Sequence, residues 1–165
     1  MIVLKIFDVK DIMAHLLLEE SFDGYFLEEV SVTTYAKLKL QGKRNKAWYD
    51  MEKGEKSPPE LLYWKEAKPL IYSYIKGKKT PHSFLISLKL AEEEISRLLG
   101  NQLFAFFVEE QGMECLLHFR FEKGNLFVVT GTSYRNFTMD KRGELAWDNG
   151  VKGLLQQMKI SFEEG

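Results

Sequence analysis

The sequence predicts a single α+β domain over residues 1–165, with helices packed on a mainly antiparallel sheet. Three observations lead to this prediction. Several short stretches alternate apolar with polar residues, which is typical of strands with one buried face. Other stretches repeat their apolar residues every three or four positions, as amphipathic helices do. The order of these stretches is β-α-β-β-α-β-α-(β)-β-β-α, in which strands fall into hairpins and helices intervene irregularly.

In the first half of the chain, the longest alternation runs from Phe26 to Leu40 and predicts one long strand. Pro69 is expected to kink or split the helix that contains it, because proline has no amide hydrogen and clashes with the preceding turn. The predicted elements are a strand over 1–7, a helix over 9–19 capped by Asp8, the strand over 26–40, a short strand near 47–49 and a helix over 60–76.

In the second half, a hairpin gives the clearest pattern. Residues 115–121 and 126–132 alternate around a turn predicted at Gly124-Asn125. The apolar run over 103–108 fits either a strand or a helical turn. The other predicted elements are a strand over 84–90, a helix over 92–99 ended by Gly100, and a final helix capped by Asp140 and weakened by Gly143, Gly150 and Gly153.

The composition is that of a globular protein, with 45% hydrophobic and 13% aromatic residues. The single cysteine, Cys115, excludes an internal disulfide and a thiolate metal cage. The N-terminus does not resemble a signal peptide, and no apolar run approaches the roughly 20 residues of a membrane span. We therefore expect a soluble cytoplasmic protein without a membrane partner. The common nucleotide-binding, hydrolase and metalloprotease motifs are absent from the sequence, and no cofactor is expected.

Charge is unevenly distributed along the chain. Residues 37–79 hold twelve basic and five acidic groups, whereas residues 1–36 hold two and seven. Aromatic residues, Trp48 among them, are interleaved with these cations, a pattern that suits single-stranded nucleic acid or another anion. The alternative is that the blocks mix in space, with Trp64 in the core and Trp48 at least partly buried. The candidate anion contacts are Lys43, Arg44, Lys46, Lys78 and Lys79.

Two smaller groups of residues also suggest sites. Asp8, Asp11, His15 and Glu19 share one side of the first helix and could hold a divalent metal or provide a general base. The alternative, which we favour, is that they form a helix cap and a solvated face, and we predict no metal.

His118 and Arg120 lie on the hairpin face opposite Phe119 and Phe121. A turn at Gly124-Asn125 would pair Arg120 with Val129 and His118 with Gly131, leaving space for an anion above the glycine. The same pattern fits the exposed side of a half-buried sheet.

Three segments resemble a small family of uncharacterised bacterial proteins, a domain of unknown function. These segments are Val3–Met13, Val129–Lys141 and Glu144–Asp148. The resemblance extends over the whole chain and implies no activity.

The segment Leu116–Thr132 also resembles the hairpin of DNA sliding-clamp repeats, although Ser133 stands where clamps often have an acidic residue. The resemblance implies a clamp-repeat-like fold. Clamp pores are lined by basic helices, whereas here the helices carry acidic residues, which would repel DNA. The acidic residues are Asp11, Glu19, Glu20, Glu92, Glu93 and Glu94. The DNA-encircling function is therefore not expected to accompany the fold.

These observations favour a non-enzymatic binding or interaction module, with a protein as the first choice of partner and nucleic acid as the second. The alternative is a small hydrolase or metal-dependent enzyme that uses Asp8, Asp11 and His15, or His118 and Arg120. No catalytic residue is assigned from the sequence.

Overall fold

The computed structural model describes residues 1–49, 57–77 and 79–165. Its strands are β1 (Val3–Ile6), β2 (Phe26–Thr33), β3 (Lys37–Gln41), β4 (Ser83–Lys89), β5 (Met113–Glu122), β6 (Asn125–Tyr134) and β7 (Phe162–Glu164). Its α-helices are α1 (Val9–Leu17), α2 (Trp64–Ile75), α3 (Glu92–Leu99), α4 (Asn101–Phe104) and α5 (Arg142–Gln157). A 3₁₀ turn spans Lys46–Trp48, and a π-helical segment spans Ala105–Glu110.

The seven strands form one sheet in the order β3-β2-β4-β5-β6-β1-β7, and every neighbouring pair is antiparallel. The predicted α+β class and its mainly antiparallel sheet are therefore confirmed. β1 lies between β6 and β7, so the first strand of the chain is paired on both sides by later segments.

Alternate side chains of each strand point to opposite faces of the sheet, and one of these two faces is buried. Cys115 belongs to this face as predicted, and burial raises the pKa of its thiol to about 12. The opposite face carries no helix within the described ranges, and among its side chains only Ser87 is buried. The buried strand residues are Leu4, Ile6, Leu27, Val30, Val32, Phe84, Ile86, Leu88, Met113, Cys115, Leu117, Phe119, Phe121, Leu126, Val128 and Thr130.

The long strand predicted over 26–40 is wrong, because the chain turns back at residues 34–36 to form the β2–β3 hairpin. In this hairpin Val32 pairs with Leu38 and Val30 with Leu40. Both members of each pair are even-numbered and face the same side. The alternation therefore continues through the turn without interruption, so period two alone does not distinguish one strand from two.

Other predicted boundaries also differ. The strand predicted near 47–49 is the 3₁₀ turn, and the ambiguous run over 103–108 is helical. Helix α2 begins at Trp64 and continues through Pro69, and α5 is not interrupted at Gly150 or Gly153. Packing of the apolar stripes against the sheet outweighs the intrinsic penalty for proline or glycine inside these helices.

The β5–β6 turn lies at Lys123-Gly124, one residue earlier than predicted. Both residues have positive φ angles, 50° and 78°, which a two-residue hairpin turn of this hand requires. His118 consequently pairs with Val129 and Arg120 with Phe127, so the predicted pairing is wrong by two residues. A shift of two leaves the faces unchanged. Phe119 and Phe121 are buried and His118 and Arg120 are more exposed, as predicted.

Candidate functional site

The helix-free face of the sheet contains a concavity of about 750 Å³, which we call the sheet-face concavity. Its floor is formed by β2, β4 and β5, and its rim by the end of β3 and by residues 59–61. This volume falls within the range of roughly 300–1,000 Å³ that is typical of ligand sites. Apolar side chains of Phe26, Leu61 and Leu116 contribute to it beside charged ones.

A β-bulge shapes one side of the concavity. The β2–β4 register shifts between Leu27 and Glu29, so Glu28 is an extra residue in β2. A bulge can re-aim a side chain, and here both Glu28 and Glu29 line the concavity. Gly42 packs against the bulge and donates its amide to the Glu28 carbonyl at 2.9 Å. A Cβ atom at Gly42 would lie 1.6 Å from the Leu27 carbonyl oxygen, so the close approach requires glycine.

Ser87 and His118 form a hydrogen-bonded pair on the floor. Their strands are neighbours in the sheet and the two residues are directly opposite, which places Ser87 Oγ 2.8 Å from His118 Nδ1. The imidazole lies over Gly131, where an added Cβ would be 3.3 Å from Nε2. His118 itself therefore occupies the space predicted above this glycine. Burial lowers the pKa of His118 and so favours the neutral imidazole.

Acidic groups outnumber basic ones around the concavity. Four glutamates line it, against Lys43 and Lys89. Lys89 is paired with Glu114 at 3.1 Å. Within the described ranges, the remaining three glutamates make no ion pair; they are Glu28, Glu29 and Glu60. The described lining therefore presents more negative than positive charge to an incoming ligand.

Arg44 holds the rim of the concavity in place through hydrogen bonds to its backbone. Its guanidinium donates to both carboxylate oxygens of Glu66, at 3.0 and 2.8 Å, and to the carbonyls of Pro59 and Leu61 at 2.9 and 3.2 Å. It also donates to the Tyr49 hydroxyl at 2.9 Å. The hydrogen bonds from Arg44 lower the pKa of Glu66. Arg44 thus links the segment after β3, the segment before α2 and α2 itself.

The structure does not bring the described members of the predicted basic set together on one surface. Arg44 is 8% exposed and fully engaged, and Lys78 lies outside the described residues. Lys43 lines the sheet-face concavity, whereas Lys79 lines a second cavity beside the β2–β3 turn. Lys46 is exposed on the 3₁₀ turn. The two cavities lie toward opposite ends of β2: five residues separate Glu29, which lines the first, from Thr34, which lines the second, or about 16 Å at 3.3 Å per residue.

The two tryptophans of this segment have opposite environments. Trp64 is fully buried, as predicted, and its indole N–H donates to the Leu16 carbonyl at 2.7 Å. Trp48 is 77% exposed, so the expectation that it is at least partly buried is wrong. It lies on the short 3₁₀ turn, whose residues are not among the core of the protein.

Arg120 does not converge with His118. Its guanidinium lies over the Phe127 ring, 5.2 Å from the centroid, and is 3.8 Å from Glu122. His118 is directed instead to Ser87 and Gly131. The two side chains share a face of the sheet but make separate contacts.

The acidic face of α1 is also engaged locally. The Asp8 side chain does not cap α1 but accepts a hydrogen bond from the Ser161 amide at 2.6 Å. His15 contacts Glu19 at 2.7 Å and Ser21 at 2.8 Å, while Asp11 is exposed. No group of three metal-binding side chains occurs in the part of the chain that the structure describes.

Among the described residues, no helix is long and apolar enough to cross a membrane. Neither the curated proteins nor the solved structures include a match to the chain, and the resemblance to sliding-clamp repeats is not shown by any comparison. Residues 15–163 of 165 match a protein family described as a family of unknown function, DUF5721. This match confirms the predicted full-length resemblance to a domain of unknown function. The chain therefore belongs to the DUF5721 family.

Proposed function

We propose that this protein is a non-enzymatic binding module whose sheet-face concavity receives a basic segment of a protein partner. The observation that carries the proposal is the excess of carboxylates in the described lining of this concavity, on a sheet face that no helix of the described residues covers. We also propose that it acts in the cytoplasm, because a single cysteine suits a reducing compartment.

Charge complementarity favours a basic protein segment over nucleic acid at this site. Glu28, Glu29 and Glu60 would attract lysine or arginine side chains and repel phosphates. Leu116 and Leu61 would pack against the aliphatic stems of those side chains, since long cationic residues bury their methylene groups on apolar surfaces. A protein therefore remains the first choice of partner, with nucleic acid second.

The test compares binding of a lysine-rich peptide and a glutamate-rich peptide of equal length to the wild-type protein and to Glu28→Gln/Glu29→Gln. We expect the basic peptide to bind, to weaken as salt is added, and to bind about tenfold less well to the variant, which corresponds to about 1.4 kcal/mol. Glu109→Gln/Glu110→Gln is the matched control, because it neutralises two consecutive exposed glutamates that do not line the concavity.

Equal binding of the two peptides, or an equal loss in both double variants, would contradict the proposal. The first result would remove the role of charge, and the second would show that only net charge matters. Circular dichroism and thermal melting of each variant establish that the fold is retained.

A second candidate, a small hydrolase, is favoured by the Ser87–His118 pair. A serine nucleophile requires a base within hydrogen-bond reach, and the 2.8 Å contact meets that requirement. Against this candidate, Ser87 is only 8% exposed and lies within a central strand whose backbone is paired on both sides. A fluorophosphonate probe distinguishes the two proposals: labelling that disappears in Ser87→Ala supports the hydrolase, and no labelling supports the binding module.

A further inference from the structure

We infer that a second site, at the turn of the β2–β3 hairpin, binds a nucleotide through an aromatic ring and a set of cations. The site is a cavity of about 510 Å³, which we call the hairpin-turn cavity. The residues that carry the argument are Tyr35, Tyr74, Lys76, Lys79 and His82. This inference goes beyond the proposed function, because it concerns a different surface and a ligand of opposite charge.

Tyr35 supplies an aromatic face at the cavity. Its side chain is 94% exposed, and its ring centroid is 6.0 Å from that of Tyr74 with an angle of 46° between the planes. Tyr74 is fixed by a hydrogen bond of 2.5 Å from its hydroxyl to the Ala36 carbonyl. The ring of Tyr35 is thus almost fully open to solvent beside the ring of Tyr74. Such a ring offers its face for stacking on a nucleobase.

The cavity is lined by two lysines, Lys76 and Lys79, and by the imidazole of His82. Its described lining includes no aspartate or glutamate. His82 is held in place because its amide donates to the Thr33 carbonyl at 2.9 Å, at the end of β2. The C-terminus of α2 attracts cations and accounts for Lys76, but Lys79 and His82 belong to the loop that follows. These two groups remain available to an anion.

A nucleotide combines the two chemistries that the cavity offers. A bare anion would make no use of the Tyr35 ring, and an uncharged aromatic compound would make no use of the cations. A mononucleotide also fits the volume, which lies within the range for small-ligand sites. The nucleotide could be free in solution or the end of a single strand, since both present a base beside a phosphate.

The experiment measures binding of adenosine monophosphate, inorganic phosphate and an eight-residue oligothymidylate to the full chain by calorimetry. We expect saturable binding of a nucleotide, at least tenfold tighter than that of phosphate. Tyr35→Ala and Lys79→Ala should each weaken it about tenfold or more, whereas Tyr35→Phe should retain it because the ring remains. Lys39→Ala is the control, since Lys39 is an exposed lysine of β3 outside the cavity.

Comparison of the monophosphate with the oligonucleotide identifies the source of the nucleotide, and either one supports the inference if it depends on both Tyr35 and Lys79. The inference is overturned if neither binds at millimolar concentration. It is also overturned if Tyr35→Ala binds as tightly as the wild type, because the ligand would then be a simple anion.

Discussion

Arg44 and Glu66 form a bidentate pair of hydrogen bonds, and Glu66 also accepts the Tyr63 amide at 2.8 Å. Such bidentate pairs are among the stronger hydrogen-bonded contacts in proteins. The pair connects the chain after β3 to helix α2 across the described rim of the sheet-face concavity. Arg44 therefore stabilises the shape of the site and is not placed to contact a ligand.

Arg44→Ala should lower the free energy of unfolding by about 1–3 kcal/mol, because two carbonyls lose a donor and the Glu66 carboxylate loses its cationic partner while keeping the Tyr63 amide. Lys43→Ala is the neighbouring control, and an exposed substitution of this kind should change stability by less than about 0.5 kcal/mol. Urea denaturation measures both values. Equal effects of the two substitutions would show that the contacts of Arg44 contribute nothing beyond those of an ordinary surface cation.

Replacement of His118 should change how stability depends on pH. Because burial lowers the pKa of His118 in the folded protein, the unfolded chain takes up a proton on this residue first as the pH falls. The stabilisation is complete above the ordinary histidine pKa of about 6.5 and is lost as the pH falls through the lowered value. Denaturation at pH about 7.5 and about 5.5 should therefore show a smaller difference in His118→Asn than in the wild type. Arg120→Ala, on the same strand face, should keep the wild-type difference.

Phe121→Ala should destabilise the protein by about 3–5 kcal/mol, as expected for a buried phenylalanine. Phe121 is 7% exposed and stacks on Phe84, with ring centroids 5.3 Å apart and planes at 12°. A double-mutant cycle of Phe84→Ala and Phe121→Ala should give a coupling of about 0.5–1.5 kcal/mol. Strict additivity would mean that the two rings do not stabilise each other, and a loss below about 1 kcal/mol for Phe121→Ala would contradict its burial.

Gly42→Ala should cost at least about 1–3 kcal/mol, because its methyl group would overlap the Leu27 carbonyl and force β2 or the β3 end to move. The same shift would distort the bulge that presents Glu28 and Glu29, so binding of the basic peptide should weaken as well. Gly24→Ala is the control, since a Cβ atom there meets nothing within 4 Å. If both variants unfold at the same denaturant concentration, the close approach at Gly42 is not a constraint in solution.

The sequence predicts the faces of the sheet better than its pairings. Period two correctly separates Phe119 from His118, because β5 pairs with both neighbours without a register shift. In β2 the bulge at Glu28 interrupts the alternation, so Leu27 rather than Phe26 joins the buried face. The β2–β3 hairpin could not be predicted from the alternation, because even-numbered residues face the same side of the sheet before and after its turn. The partnership of Ser87 with His118 could not be predicted, since it depends on how two strands 31 residues apart align. The alternation of β4 does predict that Ser87 lies on the open face of the sheet, since Phe84 and Ile86 lie on the buried face.

Charge counting had a similar limit. Residues 37–79 carry a net positive charge as a segment. However, Arg44 is paired with Glu66, and Lys43 and Lys79 line separate cavities. The acidic lining of the sheet-face concavity is not predictable from the sequence, because its glutamates come from β2, β5 and the segment before α2. A count of charges along the sequence does not show that carboxylates far apart in the chain are close in the fold. The bulge that places both Glu28 and Glu29 in the concavity depends on how β2 pairs with β4.

The position of β1 between β6 and β7 has a consequence during protein synthesis. Val3–Ile6 are synthesised before the other strands of the sheet, yet their hydrogen-bonding partners are Leu126–Val129 and Phe162–Glu164. Both edges of β1 therefore stay unpaired while β2 to β5 are translated, and unpaired apolar strands are prone to aggregate. The strands β2 to β6 form a contiguous part of the sheet, in the order β3-β2-β4-β5-β6, that does not include β1. They can therefore assemble before β1 is paired. We therefore expect the nascent chain to be most prone to aggregate before β6 and β7 are synthesised and enclose β1.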